Sequence, residues 1–175
     1  MIHIYLSHFL QVPILTVLIL MFFVRSRTMY WTSFARSSNA SIFKSGTDGS
    51  ELSIFVANLA CSSGLMIDYD SSRIYWTDCK AKKIQSSDLG GSGIVTVAEL
   101  PSGPYGLALA HQRLFWSLPD VYALQSGNKD GGLYSILSSG SSRFQIGLFQ
   151  ETKGVGTFFG MPGTTLSRMT AKSVV

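Results

Sequence analysis

The chain has 175 residues, of which 46% are hydrophobic and 14% charged, and this composition excludes an intrinsically disordered protein. Its net charge of +4 comes from scattered Lys and Arg residues with no run long enough to follow a phosphate backbone, so no nucleic-acid partner is expected. The 17 Gly residues, set among many aromatic residues, Ser and Thr, are typical of short strands joined by tight turns. An all-β fold is therefore predicted.

The chain opens with an apolar segment, residues 1–24, which contains no Asp, Glu, Lys or Arg. We predict an apolar helix here, with three interpretations open. A secretory signal peptide fits the apolar run, with Val24 and Ser26 at the positions before a cleavage site, although the basic residues Arg25 and Arg27 follow the run instead of preceding it. A membrane anchor is the second interpretation, and it implies membrane association through residues 1–24. The third is an artefact of a truncated gene model.

An aromatic-centred strand then recurs three times, around Trp31, Trp76 and Trp116. The separations are 45 and 40 residues, which is the period of a four-stranded propeller blade. The second and third units start with a Gly-Leu strand, whereas the first unit lacks it. The predicted strands are 28–33, 42–45 and 52–56 in the first unit, 64–68, 73–78, 83–87 and 94–98 in the second, and 106–110, 113–117, 122–126 and 133–137 in the third.

The aromatic pair at the centre of each unit predicts how the units pack. Successive side chains of a strand point to opposite faces, so a pair of large rings covers both faces of a blade, and neighbouring blades share a core. Polar residues after the pair are expected to satisfy backbone groups where the strand leaves that core. The residues with these structural roles are Tyr30, Trp31, Asp68, Tyr75, Trp76, Thr77, Asp78, Phe115 and Trp116.

The quartet Tyr75-Trp76-Thr77-Asp78, preceded by Gly64-Leu65, closely resembles the YWTD repeat of the low-density lipoprotein receptor family. With the degenerate copies at 30–33 and 114–117, the resemblance covers about residues 25–148. In that family the repeats form six-bladed extracellular propellers that bind protein ligands or help to release them in acidic endosomes. The resemblance implies part of a six-bladed propeller, about three four-stranded blades. Ser33 and Ser117 are interpreted as replacing the motif aspartate.

The predicted organisation is an apolar segment at 1–24, YWTD propeller blades at 25–150 and a degenerate or disordered tail at 151–175. The stretch at 125–129 resembles the last repeat of the family, in which an EGF-like module follows, but Gly127 takes the place of a cysteine. Three blades cannot close a six-bladed ring. The remaining blades or an EGF-like module are therefore expected in a full-length protein, and the isolated chain is expected to aggregate or to need a partner that completes the ring.

Five residues are candidates for binding, modification or a disulfide bridge. The resemblance places the residue after the aromatic motif toward a ligand-binding face, which makes Phe34 and Tyr122 ligand-binding candidates, with simple packing as the alternative. Asn39 begins an Asn-Ala-Ser glycosylation sequon between two predicted strands. Cys61 and Cys79 are either one disulfide bridge or two free thiols, because sequence fixes no distance between them.

The sequence predicts no catalytic site, metal site or cofactor, since its histidines form no zinc motif and it has no GxSxG elbow or Walker loop. The resemblance implies an extracellular or cell-surface protein-binding propeller of a lipoprotein-receptor-related protein. Its role would be ligand binding for endocytosis or for signalling such as Wnt co-reception. One alternative is a secreted, nidogen-like propeller for matrix adhesion. Another is a propeller hydrolase with Asp68, Asp78 and Asp88 around its axis.

Overall fold

A computed structural model describes residues 17–23, 27–33, 40–59 and 61–139. These residues form three antiparallel sheets, and each sheet contains four strands that pair in chain order. The first blade consists of β1 (Val17–Phe23), β2 (Thr28–Ser33), β3 (Ala40–Gly46) and β4 (Ser53–Leu59). The second consists of β5 (Leu65–Asp68), β6 (Arg73–Asp78), β7 (Lys83–Asp88) and β8 (Val95–Glu99). The third consists of β9 (Leu107–Ala110), β10 (Arg113–Leu118), β11 (Ala123–Asn128) and β12 (Tyr134–Ser139).

The first strands of the three sheets lie side by side. Strand β5 contacts β1 on one side and β9 on the other, whereas the outer strands of different sheets make no comparable contact among the described residues. This is the arrangement of propeller blades, in which the first strand of each blade is the innermost. The prediction of about three four-stranded blades in an all-β, partial propeller is therefore confirmed.

The predicted N-terminal apolar helix is wrong over Val17–Phe23, which forms strand β1. This strand pairs with β2, with Leu20 opposite Trp31, and so occupies the position of the opening strand that the first unit seemed to lack. Without it, the inner edge of β2 would carry unpaired backbone N–H and C=O groups. The β-branched and aromatic residues of the segment also have high strand propensity. Residues 1–16 and 24–26 lie outside the described residues, so the signal, anchor and artefact interpretations stay untested there.

The two rings of the central aromatic pair, Tyr75 and Trp76, enter different interblade cores. Tyr75 packs in the cluster between the second and third blades, and its neighbour Trp76 packs in the cluster between the first and second blades. Tyr30 reaches the same cluster as Trp76 from the opposite blade. Both faces of the second blade are thus filled by one dipeptide, as the alternation along the strand predicts. The full members of the smaller core are Tyr30, Ala40, Ile42, Leu59, Leu65, Ile67, Ile74 and Trp76.

The strand register corrects the alignment of the third aromatic motif. Ser117 occupies the position of Thr77, and Leu118, which is fully buried, occupies that of Asp78. The Ser117 hydroxyl accepts a hydrogen bond of 3.0 Å from the backbone N–H that opens the third blade, and the Thr77 hydroxyl accepts the equivalent bond of 2.7 Å in the second. Ser117 therefore keeps the role of the motif threonine, and only Ser33 replaces the aspartate with serine.

Equivalent tyrosines of the first two blades differ in their hydrogen bonding, which gives a prediction with a built-in control. The Tyr30 hydroxyl donates to the Leu89 carbonyl oxygen at 2.8 Å and so links the first blade to a turn of the second. The buried Tyr75 hydroxyl has no hydrogen-bond partner among the described residues. We expect Tyr30→Phe to lower the free energy of unfolding by about 1 kcal/mol and Tyr75→Phe to be neutral or slightly stabilising, as measured by urea denaturation. Equal losses at the two positions would contradict the assignment of the interblade bond.

Candidate ligand-binding face

The antiparallel topology divides the turns between two ends of the blades. One end, here called the crossover face, carries the turn after each aromatic strand and the connection from each blade to the next. The opposite end, the hairpin face, carries the remaining turns. The described segments of the crossover face are 61–64, 79–82, 100–106 and 119–122, and those of the hairpin face are 47–52, 69–72, 89–94, 111–112 and 129–133.

Hydrogen bonds and a disulfide fix the part of the crossover face that belongs to the second blade. The Thr77 hydroxyl accepts from the backbone N–H of Gly64 and donates to the backbone oxygen of Tyr105 at 3.2 Å. Cys79, two residues after Thr77, and Cys61, three residues before Gly64, are joined by a disulfide, with their Cα atoms 5.3 Å apart. The structure thus decides the alternative left open for the two cysteines. The bridge ties the connection from the first blade to the turn after β6.

The third blade continues this face through a short 3-10 turn, Pro119–Val121. The Ser102 hydroxyl donates to an Asp120 carboxylate oxygen at 3.3 Å, which joins the connection from the second blade to this turn. The turn ends at Tyr122, whose φ of 49° lies in the left-handed region and whose N–H contacts the Pro119 oxygen at 3.4 Å. A tyrosine in this conformation is uncommon, and such positions are often held in place by their surroundings.

Apolar and cationic side chains of this face are open to solvent. Tyr105 is 40% exposed and Val121 is 50% exposed. Tyr122 is half-buried beside them, and Lys80 and Lys82 are exposed on the turn after β6. Neither lysine forms an ion pair with another described residue. Tyrosine side chains held on a fixed frame are typical of binding hot spots.

A buried ion pair lies at the hairpin end of the interface between the second and third blades. Lys129 donates to Asp68 at 2.6 Å, and their side chains are only 8% and 5% exposed. Burial alone would raise the pKa of Asp68, but hydrogen bonds from Lys129 and Ser71 outweigh it and hold the pKa below its usual value. The hydrogen bond to Asp68 likewise raises the pKa of Lys129 against the effect of burial. This pair clamps two blades and leaves no free carboxylate at Asp68.

The carboxylates considered for a hydrolase have separate structural partners. Asp68 binds Lys129, Asp78 accepts from the backbone N–H of Ala81 at 2.9 Å, and Asp88 accepts from two N–H groups of its own turn. Within the described part of the chain, no group of three or more His, Cys, Asp and Glu residues is arranged to hold a metal ion. His111 is exposed in a two-residue hairpin turn. No helix among the described residues has the length and apolarity needed to cross a bilayer.

The structure places one of the two predicted ligand-binding residues. Tyr122 lies on the crossover face, whereas Phe34 and the sequon residue Asn39 fall outside the described residues. Sequence reasoning missed Tyr105, Val121 and the two lysines. The same rule that selected Phe34, applied after Asp78, indicates Cys79 and stops short of the lysines. Tyr105 had no comparable signal, because its exposure depends on how the connection between two blades folds back over Thr77.

The fold and the repeated aromatic strands define this chain as part of a β-propeller. A chain of the crystal structure of a nidogen/laminin complex matches with a TM-score of 0.57 at 20% identity, over 62% of this chain and 41% of that one. Regucalcin from Agrobacterium tumefaciens, described as a calcium-binding protein, matches with a TM-score of 0.54 at 13% identity, over 63% of this chain and 41% of that one. Likenesses at these identities show the fold alone.

Curated relatives identify the repeats more narrowly. The vitellogenin receptor of Solenopsis invicta is 29% identical over 59% of this chain, and the vitellogenin receptor Yl of Drosophila melanogaster is 26% identical over 81%. Human low-density lipoprotein receptor-related protein 5 is 27% identical over 59%. No family model matches the chain. Its blades are YWTD, or class B, repeats of the low-density lipoprotein receptor family. The matched region spans 6 to 7% of the length of these relatives.

Proposed function

We propose that this chain is a noncatalytic protein-binding segment of an extracellular or cell-surface receptor, and that it captures a protein ligand on its crossover face. The receptor would serve endocytosis or signalling such as Wnt co-reception. The observation that carries the proposal is the pair of exposed side chains, Tyr105 and Val121, with half-buried Tyr122, on a frame fixed by a disulfide and interblade hydrogen bonds. The relatives named as receptors support it.

The disulfide also supports a location in the secretory pathway. Bridges such as Cys61–Cys79 form and persist in oxidising compartments and are rare in the cytosol. We propose accordingly that the chain enters the secretory pathway and that Asn39 is glycosylated. Further blades or an EGF-like module would complete the propeller in a full-length protein.

A second candidate function is matrix adhesion by a secreted propeller. The observation that favours it is the likeness to a chain of the nidogen/laminin complex, at a TM-score of 0.57. Both candidates use a protein ligand, so they differ in which ligand binds.

Direct binding measurements distinguish the two candidates. The full chain, with its disulfide intact, would be immobilised and exposed separately to purified vitellogenin and purified laminin. We expect vitellogenin to bind and the double variant Tyr105→Ala/Tyr122→Ala to weaken that binding by at least about tenfold, because truncated hot-spot aromatics each cost more than about 1 kcal/mol. A matched control is Leu133→Ser, which removes a side chain that is 98% exposed on the hairpin face.

Each result bears on a different part of the proposal. Binding of laminin without vitellogenin would replace the receptor role with matrix adhesion. If Leu133→Ser weakens binding of either ligand and the double tyrosine variant leaves it unchanged, the binding site lies on the hairpin face instead. Failure of both ligands to bind would overturn both candidate functions.

A further inference from the structure

We propose that the crossover face of the second and third blades binds an extended acidic peptide segment in one orientation. A carboxylate of the partner lies over Lys80 and Lys82, and an apolar or aromatic side chain next to it packs on Tyr105 and Val121. This inference rests on the proposed function, because it names the chemistry of the ligand for the same face.

The charges of the face set the position of the carboxylate. Lys80 and Lys82 are exposed and unpaired among the described residues, whereas the third lysine of this strand and turn, Lys83, is paired with Glu99 at 3.0 Å. The exposed carboxylate of Asp120 lies on the third blade. The face is therefore cationic over the second blade and anionic over the third. A partner carboxylate is attracted to the first region and repelled by the other, which fixes the direction of the peptide.

The cationic and apolar regions are parts of one continuous surface. The connection that carries Tyr105 packs directly on the turn that carries the lysines, since a Cβ added to Gly103 would lie 3.3 Å from the Cβ of Cys79. The same connection reaches the third-blade turn through the bond from Ser102 to Asp120. A peptide of a few residues can therefore span both regions. Because the disulfide, hydrogen bonds and prolines already order the surface, little conformational entropy is lost when it binds.

A peptide fits this surface better than a sulfated polysaccharide does. A polyanion draws its affinity from many cations in a row, and this face has two unpaired lysines next to a carboxylate and exposed apolar side chains. The hairpin face has the opposite character, with exposed acidic residues in its turns that would repel an acidic partner. These residues are Asp48, Glu51, Asp70, Asp88 and Asp130.

The test is a selection from a phage-displayed library of short random peptides against the disulfide-intact full chain. We expect the recovered peptides to share an Asp or Glu next to a large apolar residue. Synthetic copies should bind Lys80→Glu/Lys82→Glu at least about tenfold more weakly than the unchanged chain, and binding should weaken as salt is raised. Arg27→Glu, a charge reversal on an exposed residue at the hairpin end, should bind the peptides normally.

A charge exchange separates lost contact from lost folding. A peptide whose acidic residue is replaced by Lys should bind Lys80→Glu/Lys82→Glu better than it binds the unchanged chain. If the recovered peptides lack acidic residues and Tyr105→Ala weakens their binding, this inference is overturned and the proposed function stays intact. If only Arg27→Glu weakens binding of the peptides, both this inference and the proposed function are overturned. If heparin displaces the peptides and the charge exchange fails, the two lysines form a polysaccharide site and the inference is overturned.

Discussion

Replacing Lys129 with Met is expected to lower the free energy of unfolding by about 3–5 kcal/mol, because it leaves the carboxylate of Asp68 buried without its cation. The lost bond is 2.6 Å long and joins two blades across 61 positions of the chain. Urea denaturation followed by tryptophan fluorescence would measure the loss. The same substitution at exposed Lys80 is the matched control and should change stability by less than about 0.5 kcal/mol.

The double variant Asp68→Asn/Lys129→Met tests the reason for this loss. The amide that replaces the Asp68 carboxylate keeps an oxygen that accepts the turn N–H groups of Asp70 and Ser71 but carries no charge. Because removing both charges of a buried pair is often nearly neutral, the double variant should recover most of the stability lost by Lys129→Met. A double variant as unstable as the single one would show that the loss came from the packing of the lysine stem.

The pKa shifts fix the pH range in which the pair stabilises the fold. The folded pKa of Asp68 is lowered, so its contribution is present above the unfolded pKa, about 3.9, and is lost as pH falls through the folded value. The folded pKa of Lys129 is raised, so its contribution is present below the unfolded pKa, about 10.4, and is lost as pH rises through the folded value. The clamp between these blades therefore persists in a mildly acidic compartment.

The blade order was predictable because its signals are local. Alternating large rings at Tyr75 and Trp76 indicate a strand buried on both faces, and Gly49 and Gly91 mark turns, where the structure gives them φ values of 86° and 96°. These signals are sufficient to place eleven of the twelve described strands, β2 to β12. Of the predicted aromatic positions, Tyr30, Tyr75, Trp76 and Trp116 enter the interblade cores as expected.

The remaining features depend on contacts between distant parts of the chain. Val17–Phe23 is a continuous apolar run, and without periodicity a strand cannot be distinguished from a helix. The pairing of Cys61 with Cys79 depends on how a connection between blades returns to the turn after β6. Lys129 meets Asp68 only once the second and third blades pack. Tyr105 becomes part of the candidate face for the same reason, so the chemistry of that face could not be predicted from motifs.

The second large effect is expected at Trp76, which fills the core between the first and second blades and has no solvent exposure. Trp76→Ala should lower the free energy of unfolding by about 3–5 kcal/mol, as measured by urea denaturation followed by circular dichroism, because it leaves a cavity where the ring filled the interface. If the loss were below about 1 kcal/mol, the two blades would not share the core seen in the structure.

Substitution by Phe separates the ring from its polar atom, and the third blade provides the comparison. The Trp76 Nε1 is buried and has no hydrogen-bond partner in the described part of the chain, whereas the Trp116 Nε1 donates to the buried Gln125 oxygen at 3.0 Å. Trp76→Phe removes an unsatisfied donor, but Trp116→Phe leaves the Gln125 acceptor unpaired, which costs about 1–3 kcal/mol. Trp116→Phe should therefore be the more destabilising of the two by about that amount. The reverse order would show that the hydrogen bond from Trp116 to Gln125 does not determine the difference in stability between the two positions.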